Sequence, residues 1–226
     1  YTLVEPSAVL ATHMTEIVQA HADELLTRED THALIENLKS VSKTVVEELI
    51  PNVLTLGEVQ KVLHALLRER VSIRNLETIL EVLADFGTRT KDADVLTEYV
   101  RHALARQICG EYKDEEGILR VVTLAPQIEQ DILSATQTVE GGGSYAPMDP
   151  DKTTAIAEAT AEAVQSLAAS GYDPIVLTTA QIRRFFKQMV ESHVPRLNVL
   201  SYNEMDPSVQ LESIGQVDLN AAAVQP

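Results

Sequence analysis

The apolar residues of this chain change period once, near Lys113. That change limits the fold to a helical part followed by a part that contains a sheet. Ahead of it, Val59, Val62, Leu63, Leu66 and Leu67 recur at i, i+3, i+4, i+7 and i+8 behind a capping box, Thr55-Leu56-Gly57-Glu58. Leu76, Ile79, Leu80 and Leu83 repeat the pattern in a helix opened by Ser72 and stopped by Gly87 at C′. A further helix starts near Asp92 and carries Leu96, Tyr99, Val100, Ala103, Leu104 and Ile108. Amphipathic helices joined by short turns must bury their stripes against one another, since each stripe left in water costs several kcal/mol.

Upstream, Pro6 holds Glu5 extended and Ser7 is placed to cap a helix of about five turns, whose stripe is Leu10, Met14, Ile17, Val18, His21 and Leu25. Thr27-Arg28-Glu29-Asp30 restarts the helix, and Ala33 to Leu38 continues it. Beyond Lys113 the β-branched run Ile118 to Leu124, bounded by Gly117 and Pro126, reads as a strand. A helix over Ile128–Val139 and a flexible connection at Gly141-Gly142-Gly143-Ser144 follow. Asp149-Pro150 opens an Ala-rich helix that exits at Gly171. Next come a strand at Ile175–Leu177, a helix over Thr179–Ser192, a strand at Leu197–Leu200 and a last strand over Val209–Val217. In that last strand Ser213-Ile214-Gly215 breaks the alternation, as a bulge or an edge does. The expected fold class is α+β: a mainly helical subdomain, then a small α/β subdomain with a mixed sheet. The expected divisions are 1–43 for an opening segment with its long helix, 44–113 for the helical subdomain, 114–218 for the α/β subdomain and 219–226 for a frayed tail.

Charge narrows the function. With 18 Lys+Arg against 34 Asp+Glu the formal net charge is −16, and no basic run is present to release counterions from a phosphate backbone, so nucleic acid and anionic membrane surfaces are poor partners. No window approaches the roughly 18 consecutive apolar residues of a spanning helix. The chain opens on Tyr1 rather than a methionine, as expected of a piece of a longer protein.

No local context for catalysis emerges. His13 with Glu16, and His21 with Glu24, are i, i+3 pairs, but neither forms HExxH and no third ligand is evident. His21 lies on the apolar stripe, where a satisfied core histidine is the commoner outcome, and His32, His64 and His102 read as surface helix residues. The single cysteine, Cys109, has no histidine near it in sequence and reads as a buried structural thiol. No serine sits in a GxSxG elbow, and the glycines at 141–143 lack the strand and GK[ST] of a phosphate loop. No catalytic residue, metal site or cofactor is expected. The contrary reading is a metal-dependent or nucleophilic enzyme using His13, Glu16 or Cys109. Arg68, Arg70 and Arg74 form a basic cluster unusual in so acidic a chain, a candidate subunit interface set against surface solvation or internal ion pairs.

Val4-Glu5-Pro6-Ser7-Ala8-Val9-Leu10-Ala11-Thr12-His13-Met14 resembles the V-[DE]-P-[AS]-x-V-[IVL]-A-T-H-[LM] signature of the FlhA family, the export-gate proteins of the flagellar type III secretion apparatus. Three later blocks resemble that family in the same order. They are Leu66 to Glu81, Leu96 to Arg101 with Arg106 to Cys109, and Val199-Leu200-Ser201-Tyr202-Asn203-Glu204-Met205.

The resemblance implies a portion of the cytoplasmic domain of a bacterial inner-membrane protein, cut from a membrane-spanning N-terminal half that lies upstream. It implies a docking platform rather than an enzyme, assembling as a nonameric ring that receives flagellar export chaperone–substrate complexes and contacts other export-apparatus components. Of the family's four cytoplasmic subdomains, the chain would hold the tail of the first, then the third and the fourth. Matched position by position, Val4, Val9 and Thr12 correspond to residues of the chaperone-docking groove, where two valines supply apolar area and the threonine limits bulk and offers one hydrogen bond. The injectisome homologue of virulence secretion shares much of the pattern, while Leu200 to Glu204 fits the flagellar branch.

Overall fold

The computed structural model describes residues 5–139 and 143–219, and it divides into two compact units, Tyr1–Ala103 and Leu104–Pro226. This division falls ahead of the change of period at Lys113.

The first unit is built from α1 (Pro6–Ala20), α2 (Ala22–Leu25), α3 (Arg28–Lys39), α4 (Lys43–Leu49), α5 (Leu56–Arg68), α6 (Leu76–Gly87) and α7 (Ala93–Ala103). Both expected capping boxes form: the Thr27 hydroxyl accepts from the Asp30 N–H and the Thr55 hydroxyl from the Glu58 N–H, while each carboxylate accepts from the threonine N–H in return. Helix α7 packs on α5 and α6, and α4 packs on α6. Most members of the stripes read on α5, α6 and α7 are core, with Val59, Val62, Leu63, Leu66, Ile79, Leu80, Leu83, Leu96 and Val100 all buried, but Leu67 is half-buried and Tyr99 and Ala103, also read as stripe residues, are exposed. Each large buried side chain among them contributes roughly 1.5–3 kcal/mol of apolar burial.

Two expected boundaries move. Ser72 does not open α6: its hydroxyl accepts from the Arg74 N–H, 3.4 Å away, and the helix starts from Asn75. Gly87 is not a left-handed stop but the last residue of α6, buried, where an added Cβ would stand 2.9 Å from Val53 Cγ1 and 3.2 Å from Leu54 Cγ. Close approach, not a turn, requires this glycine.

The second unit contains α8 (Ala105–Tyr112), β1 (Ile118–Leu124), α9 (Pro126–Ala135), β2 (Gln137–Thr138), β3 (Ser144–Tyr145), α10 (Pro150–Ala169), β4 (Ile175–Thr178), α11 (Arg183–Val190), β5 (Asn198–Ser201) and β6 (Gln210–Val217). The helix expected to run on from Asp92 through Ile108 is therefore two, α7 and α8. Four strands form one sheet in the order β5-β4-β1-β6, and each neighbouring pair is parallel. The α+β class holds, but the mixed sheet does not. Helical crossovers return the chain to the same direction between β1 and β4 and between β4 and β5. Among the described residues, antiparallel pairing is confined to the ribbon β2–β3, where Gln137 faces Tyr145 and Thr138 faces Ser144. That ribbon ends α9 at Ala135, short of the expected Val139. Gly141 and Gly142, with the tail from residue 220 onward, lie outside the described residues.

Helix α10 starts on Asp149, whose carboxylate accepts from the N–H groups of Asp151 and Lys152, and it exits at a left-handed Gly171 (φ 82°), the expected asymmetry. It packs over β1 and β6, and α11 over β5. Val122, Ile132, Ile156, Leu167, Val176 and Phe186 lie at the centre of this core. The expected bulge is present: Ser213 pairs with Val121 and Gly215 with Val122, leaving Ile214 as the extra residue.

Candidate docking surface

Pro6 at the first helical position of α1 requires no backbone N–H, and Glu5, extended at φ −64° and ψ 138°, is the cap residue in place of Ser7. At 100° per residue, α1 carries two distinct faces. Leu10, Met14 and Ile17 share one at i, i+4 and i+7. Val9, Thr12 and Glu16 share another at i, i+3 and i+7, roughly 130° around the axis. Both faces are open among the described residues: Val9 is 55% exposed, Leu10 60%, Met14 57% and Ile17 48%, and Thr12 and Glu16 are exposed. The amphipathic stripe expected to be buried is thus in water along its whole length. Val4 lies outside the described residues.

The helix breaks at His21 (φ −120°, ψ 22°) instead of running five turns. His21 is not a core histidine. Its side chain is exposed, with Nδ1 3.1 Å from Glu24 Oε1. Below the break the chain is anchored to α5. The Leu26 carbonyl accepts from Gln60 Nε2 at 3.1 Å and from His64 Nε2 at 2.8 Å, and Arg68 Nε donates to Asp23 Oδ2 at 3.2 Å. His64 is therefore an anchoring residue, not the surface residue its sequence context predicted.

The three arginines of the basic cluster separate. Arg68 is committed to Asp23, whereas Arg70 and Arg74 are exposed. Sequence reasoning missed Glu16 as a member of the Val9–Thr12 face, although its i+4 spacing from Thr12 marks it. The Asp23–Arg68 pair, 45 residues apart, carries no local signal.

The chemistry-bearing residues do not converge. His13 and Glu16 are exposed on α1, and among the described residues no group of three His, Cys, Asp or Glu side chains is placed to hold a metal ion. The Cys109 thiol is buried, donates to the Glu204 carbonyl at 3.0 Å and is pushed up in pKa chiefly by that burial, the reverse of an activated nucleophile. Among the described residues no helix is long and apolar enough to cross a membrane.

Comparison with known proteins gives a coherent result. Residues 1–210 match the model of the FHIPEP family. The chain is 43% identical over 219 residues to the flagellar biosynthesis protein FlhA of Bacillus subtilis, covering 97% of this chain and 32% of that protein. It is 28% identical over 213 residues to the low calcium response locus protein D of Yersinia pestis, covering 94% of this chain and 30% of that protein. The chain thus spans about a third of the length of these curated relatives. Among solved structures, Chlamydia pneumoniae CdsV in complex with CdsO superposes with a TM-score of 0.87 at 27% identity, over 95% of this chain and 63% of that one. The nonameric SctV-C of EPEC superposes with a TM-score of 0.77 at 30% identity, over 90% of this chain and 61% of that one.

Proposed function

The chain belongs to the FHIPEP family, and from that premise we propose that it is part of a cytoplasmic docking platform in a bacterial type III protein-export gate. It works by binding partner proteins rather than by breaking bonds. The observation that carries this reading is the division of α1 into two faces: Val9 and Thr12 stand clear of the Leu10–Met14–Ile17 stripe, so one face can pack within its own subdomain while the other meets a partner. In this reading Val9 and Thr12 of that second face belong to one wall of a groove for export chaperone–substrate complexes, and Val4, outside the described residues, is assigned to the same groove by the family resemblance alone. A valine fully covered there contributes up to about 1.5 kcal/mol. Residues 1–43, 44–113 and 114–218 correspond in this reading to the tail of the first cytoplasmic subdomain, the third and the fourth. The parent protein is held in the inner membrane by a segment upstream, with this part on the cytoplasmic side.

Ring assembly is the second element of the proposal, supported by the nonameric state of the EPEC relative. A contact with a further export component has its parallel in the CdsO complex of the Chlamydia relative. The higher identity to FlhA than to the Yersinia protein favours the flagellar branch over the injectisome.

Calorimetric titration with a flagellin–chaperone complex tests the docking. The intact parent protein should bind, and this chain alone should bind far more weakly, because a groove with one wall removed loses buried area and preorganisation. Full-strength binding by the 226 residues alone would overturn the groove assignment.

A further inference from the structure

Helix α5 closes on a Schellman motif. The Arg70 N–H donates to the Leu67 carbonyl at 2.9 Å, and the Val71 N–H reaches back to the Leu66 carbonyl, also at 2.9 Å. This closure places one residue in the left-handed region, and that residue is Arg70, at φ 59°. Glycine is the usual choice because a Cβ there crowds the following carbonyl. Elsewhere the chain obeys the rule: the other described residues of positive φ are Gly117, Gly143 and Gly171. Arg70 is the exception.

The fold around Arg70 makes no use of its side chain. Arg68 pairs with Asp23, Glu69 accepts from Arg101 Nη1 at 3.2 Å, and Val71 is buried, which together hold the turn in place from both sides. The Arg70 side chain itself is exposed, and its guanidinium has no hydrogen-bond or ion-pair partner among the described residues. The same holds for Arg74, four residues on. A cationic fork on a rigid turn, in a backbone position that glycine would fill with less strain, has its use outside the subunit.

We propose that Arg70 takes a carboxylate of a second copy of this chain, with Arg74 beside it. The partner follows from charge. A chain with 34 acidic and 18 basic residues presents a copy of itself with a carboxylate-rich surface, and an exposed guanidinium on a fixed backbone turn can bind a carboxylate through two parallel hydrogen bonds. The inference rests on the ring reading above and names a residue that closes the ring.

The test compares Arg70→Gly and Arg70→Lys with the unsubstituted 226-residue chain by thermal unfolding and by sedimentation velocity over a range of protein and salt concentrations. Arg70→Gly should raise the melting temperature by roughly 2–4 °C, because it relieves the backbone, and should weaken self-association at least about tenfold. Arg70→Lys, which keeps the charge and the strain, should melt like the unsubstituted chain and associate more strongly than Arg70→Gly. Association of Arg70→Gly at the strength of the unsubstituted chain overturns the proposal, and so does a lowered melting temperature, which would assign the side chain to the subunit's own stability. If the unsubstituted chain stays monomeric at every concentration, the ring reading itself fails, and this inference fails with it.

Discussion

His64 and Leu26 are joined by a hydrogen bond of 2.8 Å in which the imidazole Nε2–H donates to the backbone carbonyl, tying the start of α3 to the middle of α5. A carbonyl only accepts, so the Nε2 tautomer is required. Gln60 Nε2 donates to the same oxygen, which therefore keeps one partner if the imidazole is lost. His64→Leu should cost about 1 kcal/mol in urea unfolding, and His64→Gln, which can still donate, less. Equal stability of His64→Leu and the parent would show that Gln60 alone anchors the junction.

Two helical glycines in the first unit should respond to alanine in opposite directions. At Gly87 the new methyl meets the side chains of Val53 and Leu54 at 2.9 and 3.2 Å. Overpacking of about 1–3 kcal/mol then exceeds the helix-propensity gain of about 1 kcal/mol. At Gly57 the nearest atom is Arg28 Nη2 at 2.8 Å, the far end of a flexible side chain, so Gly57→Ala should be neutral or stabilising. Denaturant midpoints of the two variants decide this, and a stabilised Gly87→Ala would refute the close-packing account.

What could be read from the sequence was what its partners lie near to. The boxes Thr27–Asp30 and Thr55–Glu58 and the Asp149 cap depend on residues within a few positions, and the Ser213–Gly215 bulge, although it forms against Val121 and Val122, is marked locally by the break in alternation. The reason for Gly87 is Val53 and Leu54, far from it in sequence, and α9 stops short of Val139 because Gln137 pairs with Tyr145. The all-parallel sheet depends on crossovers whose hydrogen-bond partners lie dozens of residues away. On the candidate surface, the period of α1 marks only the Leu10–Met14–Ile17 stripe and not the Val9–Thr12 face, and the exposure of Arg70 and Arg74 beside the paired Arg68 carries no local signal.

Stability should fall in acid, with a calculable sign. The Thr27 hydroxyl, then its N–H, holds the Asp30 carboxyl below its ordinary range; the Thr55 N–H, then its hydroxyl, does so for Glu58; and the Ile118 N–H, ahead of Arg120, does so for Asp114. With folded values lowered, the unfolded chain takes up protons first as pH falls. The contribution is full above the ordinary carboxylate value of about 4 and is lost on descending through the folded values. Urea midpoints should be level from about pH 7 to 5 and then drop. Glu58→Gln, which still accepts but cannot titrate, should make the drop shallower; an unchanged acid limb would remove Glu58 from it.

Cys109 should be silent to thiol reagents in the native chain. Its burial raises the thiol pKa, and its donation to the Glu204 carbonyl holds it between α8 and the turn that follows β5. An aromatic disulfide reagent should label it only after unfolding, at a rate that follows the opening of the second unit. Rapid stoichiometric labelling of the folded chain would restore the nucleophile reading.

The two faces of α1 make the sharpest separation. In the intact parent, Thr12→Asp places a charge on the face assigned to docking and should weaken binding of the chaperone–substrate complex about tenfold or more, with little change in melting temperature. Leu10→Asp places the same charge on the apolar stripe. If the stripe packs inside the parent's own subdomain, this variant should lower the melting temperature by several degrees, because a buried carboxylate there has no partner. In this chain alone, where Leu10 is 60% exposed, Leu10→Asp should change stability little. The contrast between chain and parent thus reports which face the rest of the parent covers. Loss of docking from Leu10→Asp at unchanged parental stability, with Thr12→Asp binding normally, would exchange the two faces and refute the assignment of Val9 and Thr12.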